Sequence, residues 1–466
     1  MLVCGIDIGS TNLKVGLSDH SGRLMHAEIV PTPRTEDDFG IVTDPASLLL
    51  RVEDMILDAW RNAGGGVPIS AISTTGVGED GLFLDAAMQP LDSVIPWFDR
   101  RAIEDARAIS LNAATAARSG IAMDPTRTAA KWRWLYRHRP DILRAAHVWV
   151  ALTDLPLIAW GAQPFMSETL AARTGCYDPF RRGWIEELLA ACHAPPLPET
   201  RVAGQVVGVM NNARLIEAGA VTAETLLVAG GHDHPIAASA IKRLTPDARI
   251  DSLGTASVLY AETRHFSPAE NDPLIAYSVP VRCGEGVACI GVFEFAGALD
   301  AAGSRQEVRD YLSTMPLPGV PSIPRPITGN DPSPRSIRQV LEAASMTSRA
   351  MLDSFAASGV APGEIYATGG WSRSNGLLQL RASILDRTIF TADEAELALV
   401  GTALIAAEAA GAEVSFRPTV RTIDPVPAWQ EFYGRSYPGF LDLLHAGRSN
   451  SHDLSAGAVA PLEQKG

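Results

Sequence analysis

The chain has 466 residues, enough for two domains of ordinary size or three small ones, and its 46% apolar content lets each bury a core. Acidic residues outnumber basic ones, 53 to 39, and the net charge of -14 repels a phosphate backbone, which argues against nucleic acid as the main partner. Five cysteines, an odd number with no C-x-x-C pair, read as free thiols in a reducing compartment. The N-terminus shows no basic n-region and no signal-type apolar core, and no run of ~20 apolar residues occurs. A cytoplasmic location without a membrane span is therefore expected.

In chain order, Leu2 to Asp19 reads as strand, turn, strand. Val3, Gly5 and Asp7, then Leu13, Val15 and Leu17, alternate with the opposite face around a Gly9-Ser10-Thr11-Asn12 turn. Pro45 to Ala63 has helical periodicity and stops at three glycines; Ile69 to Thr74 is a strand; Arg101 to Ser119 and Thr128 to His138 are helices. Thr225 to Gly230 is an apolar strand with a helix after Pro235. A second hairpin follows: Arg249 to Leu253, a Gly254-Thr255 turn, and Ser257 to Ala261. Both turns come after an acidic residue, Asp7 or Asp251, and their spacing by half a chain suggests two related domains. Ser336 to Ser358, Ser374 to Leu385 and Glu394 to Ala410 are helical, with a strand at Ile365 to Thr368. This alternation predicts α/β layers. Seven prolines between Ser313 and Ser336 mark a surface loop, and the tail from Ala446 to Gly466 reads as disordered. The domains expected are 1–245 and 246–445, followed by the 446–466 tail.

A phosphate-binding turn needs backbone N–H groups pointing one way with no bulky Cβ in the path, and Gly9-Ser10-Thr11 meets that need. Asp7 stands two residues earlier, placed to hold a metal-bound water, and Lys14 offers a positive charge. Gly254-Thr255 repeats the pattern. Gly369-Gly370 follows a strand and precedes a helix, where N–H groups favour an anion or nucleotide, with Ser374 and Asn375 available for a ribose or base; helix capping is the competing reading of those two. His232-Asp233-His234-Pro235 closes the apolar strand, and a carboxylate at such a strand end can take a proton from a substrate hydroxyl. The His-x-His could instead ligate zinc, although no H-E-x-x-H and no evident third ligand accompany it. Walker A and serine-elbow patterns are absent.

These elements, in this order, resemble the FGGY carbohydrate kinases from about Val3 to Gly411. Gly5-Ile-Asp7-Ile-Gly9-Ser10-Thr11-Asn-Leu-Lys14 is similar to the family's first phosphate motif, and Ser252-Leu253-Gly254-Thr255 to its second. Pro96-Trp97-Phe98-Asp99-Arg100-Arg101 resembles the sugar-contacting Trp with its Asp-x-Arg, and Ser167 to Trp184 a Ser-Arg-Thr-Gly segment. Gly230-Gly231-His232-Asp233 resembles the strand end that carries the catalytic base. Thr368-Gly369-Gly370 through Gln379 and Ala382, with Glu396 and Gly401-Thr402-Ala403, resembles the adenosine region. The family's Gly-Glu-Arg-x-Pro, Arg-Gly and Gly-Leu elements are missing or eroded, and Pro-rich residues 316 to 334 stand in their place.

The resemblance implies an α/β fold of two ribonuclease-H-like, actin-like ATPase domains with a cleft between them. It implies ATP and Mg2+ as cofactors, Asp233 as base, and Asp7 with Asp233 holding magnesium through water. Gly297 would approach the nucleotide, together with Gly9, Ser10, Thr11, Lys14, Gly254, Thr255, Gly369, Gly370, Ser374 and Asn375. Glu79, Trp97, Asp233 and His234 are the expected substrate contacts, with Arg100 and Arg101 as the cations nearby. The partners expected are ATP/ADP and a small unphosphorylated open-chain ketose or polyol, with a homodimer as the candidate assembly. The competing functional classes are a non-catalytic sugar-binding protein on the same fold and a zinc hydrolase using His232 and His234.

Overall fold

The computed structural model describes residues 1–110, 115, 117–254, 256–266, 274–281, 284–314, 324–327 and 335–449. The chain forms two compact units. The first comprises 1–244, 277–287 and 396–417; the second comprises 245–276, 288–395 and the chain from 418 onward. The expected division at 245 coincides with one junction. The sequence reading did not separate out 277–287 and 396–417, two short stretches that belong with the first unit.

In the first unit, strand Leu2–Ile8 is buried along its whole length, the pattern of a central strand covered on both faces. Cys4, Ile6 and Ile8 join the core that holds Leu48, Val52, Met55 and Ile56 of helix Pro45–Asn62. Val3, on the opposite parity, packs with Ala403, Ile405 and Ala406 of helix Leu397–Ala409. Period-two alternation thus feeds two helical layers from one strand. Helix Pro45–Asn62 begins where Asp44 accepts the Ser47 N–H at 2.8 Å, with Pro45 in the first helical turn.

The sheet order is Val206–Val209, Val221–His232, Ile69–Gly76, Leu2–Ile8, Asn12–Asp19, Leu24–Pro31. The last three strands are antiparallel neighbours, and Leu2–Ile8, Ile69–Gly76 and Val221–His232 run parallel. In the second unit the order runs Val287–Glu294, Ala256–Thr263, Arg249–Leu253, Ile365–Thr368, Ile389–Ala392, Val420–Ile423. Each unit therefore sets its first three strands, in the order third, second, first, beside two later strands parallel to the first: the fourth and sixth strands in the first unit, the fourth and fifth in the second. The likeness of the two hairpins extends to the sheets around them, and the mixed α/β class is the expected one.

Helix Ile337–Ala357 opens with a capping box in which Ser336 and Gln339 satisfy each other's backbone N–H groups. Together with Asn375–Leu385 and Pro427–Ser449 it builds the core around Met346, Ile384, Tyr433 and Phe440. The last helix runs through Ser449, so residues 446–449 continue it and are not the start of a tail; residues 450–466 lie outside the described residues. Most of the Pro-rich loop also lies outside them. Helix Ile103–Ser110 starts two residues later than expected, and helix Asp233–Lys242 begins at Asp233, ahead of Pro235.

Asp251, the counterpart of Asp7 in the second hairpin, has another role. It is wholly buried and takes Arg381 Nη2 at 2.7 Å, with Nε of the same guanidinium on its other oxygen. Arg381 also donates to Ser257 and Ser348 at 3.1 and 2.5 Å. Removing one member of a fully buried ion pair leaves a bare charge at a cost of about 3–5 kcal/mol. Arg381→Met should therefore lower the unfolding free energy by that amount in urea titrations, and Asp251→Leu added to it should recover part of the loss. Equal stability of wild type and Arg381→Met would refute the pair's structural role.

Candidate functional site

Cross-strand register builds the first part of the site. Asp7 and Lys14 are paired residues of the Leu2–Ile8/Asn12–Asp19 hairpin, so their side chains share a face. Lys14 Nζ lies 3.4 Å from Asp7 Oδ2 and donates to Glu396 Oε2 at 2.7 Å. Burial opposes the lysine's charge, but Asp7 and Glu396 hold its pKa above the ordinary value. Burial pushes the Asp7 carboxyl up to about 7; Lys14 opposes this, and Asp233 reinforces it. The two aspartates are thus electrostatic neighbours. Asp7 Oδ1 is buried with no hydrogen-bond partner, which suits a water held by a metal ion.

Between those strands, Gly9 N–H closes the turn on Asn12 O at 3.1 Å, while Ser10 is half-buried and Thr11 exposed. Arg34 Nη2 donates to Ser10 O at 2.9 Å and Thr32 Oγ1 to Gly9 O at 2.7 Å, so the segment after strand Leu24–Pro31 braces the turn from its carbonyl side. No local pattern marked Arg34.

Asp233 is placed by a tight strand end. A Cβ on Gly230 would come within 1.8 Å of Thr74 O, and Gly231, at φ 153°, leaves no room beside Thr169 Oγ1. The register slips between Val228 and Gly231, which turns the chain so that Asp233 becomes the first residue of helix Asp233–Lys242. His232 N–H is held by Thr169 Oγ1 at 3.0 Å. The Asp233 side chain is 31% exposed, with His232 Nε2 at 3.4 Å and His234 Nε2 at 3.9 Å from Oδ1. His234 N–H also donates to Oδ1 at 2.6 Å. All these contacts fall on Oδ1. Burial drives the His232 pKa down to about 3, with Arg173, His234 and Arg127 adding to the fall and Asp233 opposing it, so the imidazole beside Asp233 is neutral. Among the described residues, no three His, Cys, Asp or Glu side chains come together as a metal cluster.

Glu79 is buried, and its Oε1 accepts Arg127 Nη1 at 2.7 Å and Arg173 Nε and Nη2 at 2.9 and 2.5 Å. Burial raises its carboxyl, but Arg173 and Arg127 outweigh it and hold the pKa below the ordinary value. Beside it, burial raises Asp80 against the pull of Lys131 and Arg34. Arg173 reaches Glu79 over Gly78, where a Cβ would meet the Arg173 stem at 2.7 Å and the His232 ring at 3.0 Å.

This corrects the expectation that Arg100 and Arg101 are the only cations near the substrate residues. Arg127 and Arg173, distant in sequence, are the ones on Glu79. Arg101 instead pairs with Asp37 and Asp99 at 2.7 and 2.8 Å. Trp97 is half-buried, edge-on to Phe98 at 6.0 Å.

The second unit carries the other expected nucleotide residues. Gly254 N–H bonds Ala256 O at 3.1 Å, a turn one residue tighter than that of Gly9; Thr255 lies outside the described residues. Gly369, at φ 84°, packs on Leu253, and a short 3-10 turn, Gly370–Arg373, separates it from helix Asn375–Leu385. The glycine pair therefore does not itself open that helix. Phe295, the residue before the Gly297 helix, meets Trp371 of the turn after Gly369 at 6.4 Å. Ser374 caps the Leu377 N–H at 3.3 Å, and Asn375 Oδ1 accepts from Arg421 at 2.8 Å. Glu396 and Gly401-Thr402-Ala403, aligned by resemblance with the adenosine region, lie in the first unit, because their helix packs on strand Leu2–Ile8 and on helix Asp233–Lys242.

The fold and these motifs define a two-unit α/β protein with paired glycine hairpins and an aspartate at a strand's end. Residues 2–240 match the N-terminal domain, and residues 313–410 the C-terminal domain, of the FGGY family of carbohydrate kinases, and the chain belongs to that family. It is 24% identical over 266 residues to the xylulose kinase of Escherichia coli K12, a match covering 56% of this chain and 54% of that protein. A glycerol kinase of Trichlorobacter lovleyi is 24% identical over 460 residues, covering 88% of this chain and 90% of that protein. The crystal structure of xylulose kinase from Rhodospirillum rubrum superposes with a TM-score of 0.83 at 20% identity, covering 97% of this chain and all of that one. The match to the Escherichia coli enzyme thus spans about half of its length. No described helix is long and apolar enough to cross a membrane.

Behind the Asp233 strand end, Asp154 accepts Ser167 N–H and Oγ at 2.7 and 2.6 Å, just before the short helix carrying Thr169. Burial raises its pKa from 3.8 to about 7, against the pull of Ser167. A raised carboxyl favours the fold while protonated. Its contribution is full below pH ~4 and is lost as pH rises through about 7, a fall of roughly 4 kcal/mol at most. Urea unfolding at intervals from pH 4 to 8 should show this decline, and Asp154→Asn should flatten it. An unchanged pH slope in Asp154→Asn would assign the decline to other groups.

Proposed function

We propose that this chain transfers the γ-phosphoryl group of ATP to a hydroxyl of a small open-chain sugar or polyol. The observation that carries the reading is the placement of Asp233. It is a part-exposed carboxylate at the end of a parallel strand, electrostatically coupled to Asp7, whose Lys14 partner stands on the phosphate-type hairpin. Asp233 acts as general base. Oδ1 is engaged by the His234 N–H and faces neutral His232, which leaves Oδ2 to accept the substrate's hydroxyl proton.

Magnesium fits the donor set present. Asp7, through its unpartnered Oδ1, and Asp233 would hold it by way of water, and the ion would neutralise charge on the transferring group. In the first unit Gly9, Ser10, Thr11 and Lys14 are assigned to phosphates. In the second, Gly254, Thr255, Gly297, Gly369, Gly370, Ser374 and Asn375 are assigned to the nucleotide. Family membership and the xylulose and glycerol kinases among its relatives support the reaction class.

The substrate contacts proposed are Glu79, Trp97, Asp233 and His234. Glu79 is neutralised by Arg127 and Arg173, and Arg127 also pairs with Asp124 at 3.0 Å, so the charges there are mutually engaged. Such a lining suits hydroxyl matching of an uncharged chain, with specificity set by hydrogen bonds more than by size.

An ADP-release assay over ketoses and polyols of roughly four to six carbons tests the reading, with hydroxyl matching predicting strong discrimination among isomers. Asp233→Asn should lower kcat at least ~10²-fold with nucleotide binding retained. Near-normal turnover in the folded variant would reject the base. Sugar binding without turnover in the wild type would favour a non-catalytic binder. On the best substrate, Glu79→Ala should raise KM about tenfold or more while leaving the KM for ATP within about twofold, as expected for loss of a charge-assisted contact. Activity confined to phosphorylated sugars would refute the substrate class.

A further inference from the structure

The second unit contains a cavity of about 130 Å³ lined by Arg249, Arg349, Arg387, Asp353 and Asp386 with a few apolar groups. None of its residues belongs to the motifs above. One water needs only ~10–15 Å³ of such space, so the cavity has room for several waters or a phosphate group. It lies at the far end of elements whose other ends carry nucleotide motifs. Arg249 begins the five-residue strand that ends at Leu253, before Gly254. Arg387 follows the C-terminus of the eleven-residue helix that starts at Asn375. At ~3.3 Å per strand residue and ~1.5 Å per helix residue, the separations are roughly 15 Å.

The charges of this cavity are unbalanced in a particular way. Among the described residues, none of the three guanidiniums forms an ion pair with a carboxylate. Arg249 is 6% exposed and spends Nη2 on the Val360 and Ala361 carbonyls at 3.4 and 2.7 Å, while its Nε has no partner. Arg349 donates to Ile384 O at 3.0 Å and lies over the Tyr437 ring at 4.2 Å. The Arg387 side chain is exposed with no hydrogen bond among the described residues. The two carboxylates are taken by neutral donors, Asp353 by Tyr437 OH at 2.6 Å and Asp386 by Gln430. Burial lowers the Arg249 pKa, and the like charge of Arg387 lowers it further. A cluster of this kind relaxes when an oxyanion enters, because guanidinium forks match phosphate oxygens.

We propose that this cavity is a binding site for a phosphate group, separate from the nucleotide motifs, with Arg387 as its entrance residue and Arg249 and Arg349 as its walls. Free phosphate and a phosphomonoester share the chemistry. Calorimetric titration of inorganic phosphate, and separately of methyl phosphate, into the full chain and into Arg387→Lys, Arg387→Gln and Arg387→Glu tests it. Arg387 is exposed, so the variants should fold and melt like wild type without ligand. At least one probe should bind the wild type with Kd of about 1 mM or tighter. Arg387→Gln should weaken it about tenfold or more, Arg387→Glu should abolish it, and Arg387→Lys, which keeps the charge but loses the fork, should fall between wild type and Arg387→Gln. The tighter probe identifies the source, free ion or ester. No saturable heat with either probe, or equal affinity in wild type and Arg387→Glu, overturns the site; phosphate held at the catalytic residues would give the second result.

Discussion

The first unit depends on how closely helix Leu397–Ala409 approaches strand Leu2–Ile8 and helix Asp233–Lys242. A Cβ on Gly5 would stand 2.6 Å from Leu399 O, and one on Gly401 would stand 2.3 Å from Ile236 O. Backbone meets backbone at both points, which no side chain allows. This approach covers the odd-parity face of the strand with Ala403 and its neighbours, and it delivers Glu396 to Lys14. Lys14 in turn stands against Asp7. The charge state of the hairpin face thus follows from packing between segments almost 400 residues apart in the chain.

The two hairpins show how a shared scaffold is put to different uses. Both place an aspartate on the first strand before a glycine turn, with the same strand order around it. Asp251 is sealed under Arg381, and the same guanidinium donates to two serines. Asp7 has a lysine on one oxygen and nothing on the other. Both Asp251 oxygens are taken by a buried guanidinium, which is a structural pairing, whereas the orphaned Asp7 oxygen is the one proposed to face a cation and its waters. Equivalent positions in the topology therefore carry inequivalent chemistry, and the difference lies in what the surrounding helices bring to each aspartate.

Around Glu79, burial would neutralise an isolated acid; two arginines keep it charged. Arg173 reaches it because Gly78 leaves the path open, and the same arginine depresses the His232 beside Asp233. The group proposed to read the substrate and the group proposed to take its proton share one electrostatic environment, so changes at Arg173 act on both.

Local patterns in the sequence were sufficient for much of this protein. Alternation around Gly9 and Gly254 marked both hairpins, apolar periodicity marked the helices from Pro45, Thr128, Ser336 and Ser374, and the run before Gly230-Gly231 put Asp233 at a strand's end. These are short-range consequences of backbone period and turn chemistry, so they can be read without a structure. The order of the motifs also disclosed the family. What only the tertiary structure decided were contacts between distant segments: Arg127 and Arg173 on Glu79, Arg34 behind Ser10, Glu396 on Lys14, Arg381 on Asp251. An arginine carries no local sign of the carboxylate it will meet, because its partner is chosen by the packing of whole elements. For that reason the site's backbone was legible in the sequence, and its charge balance was not.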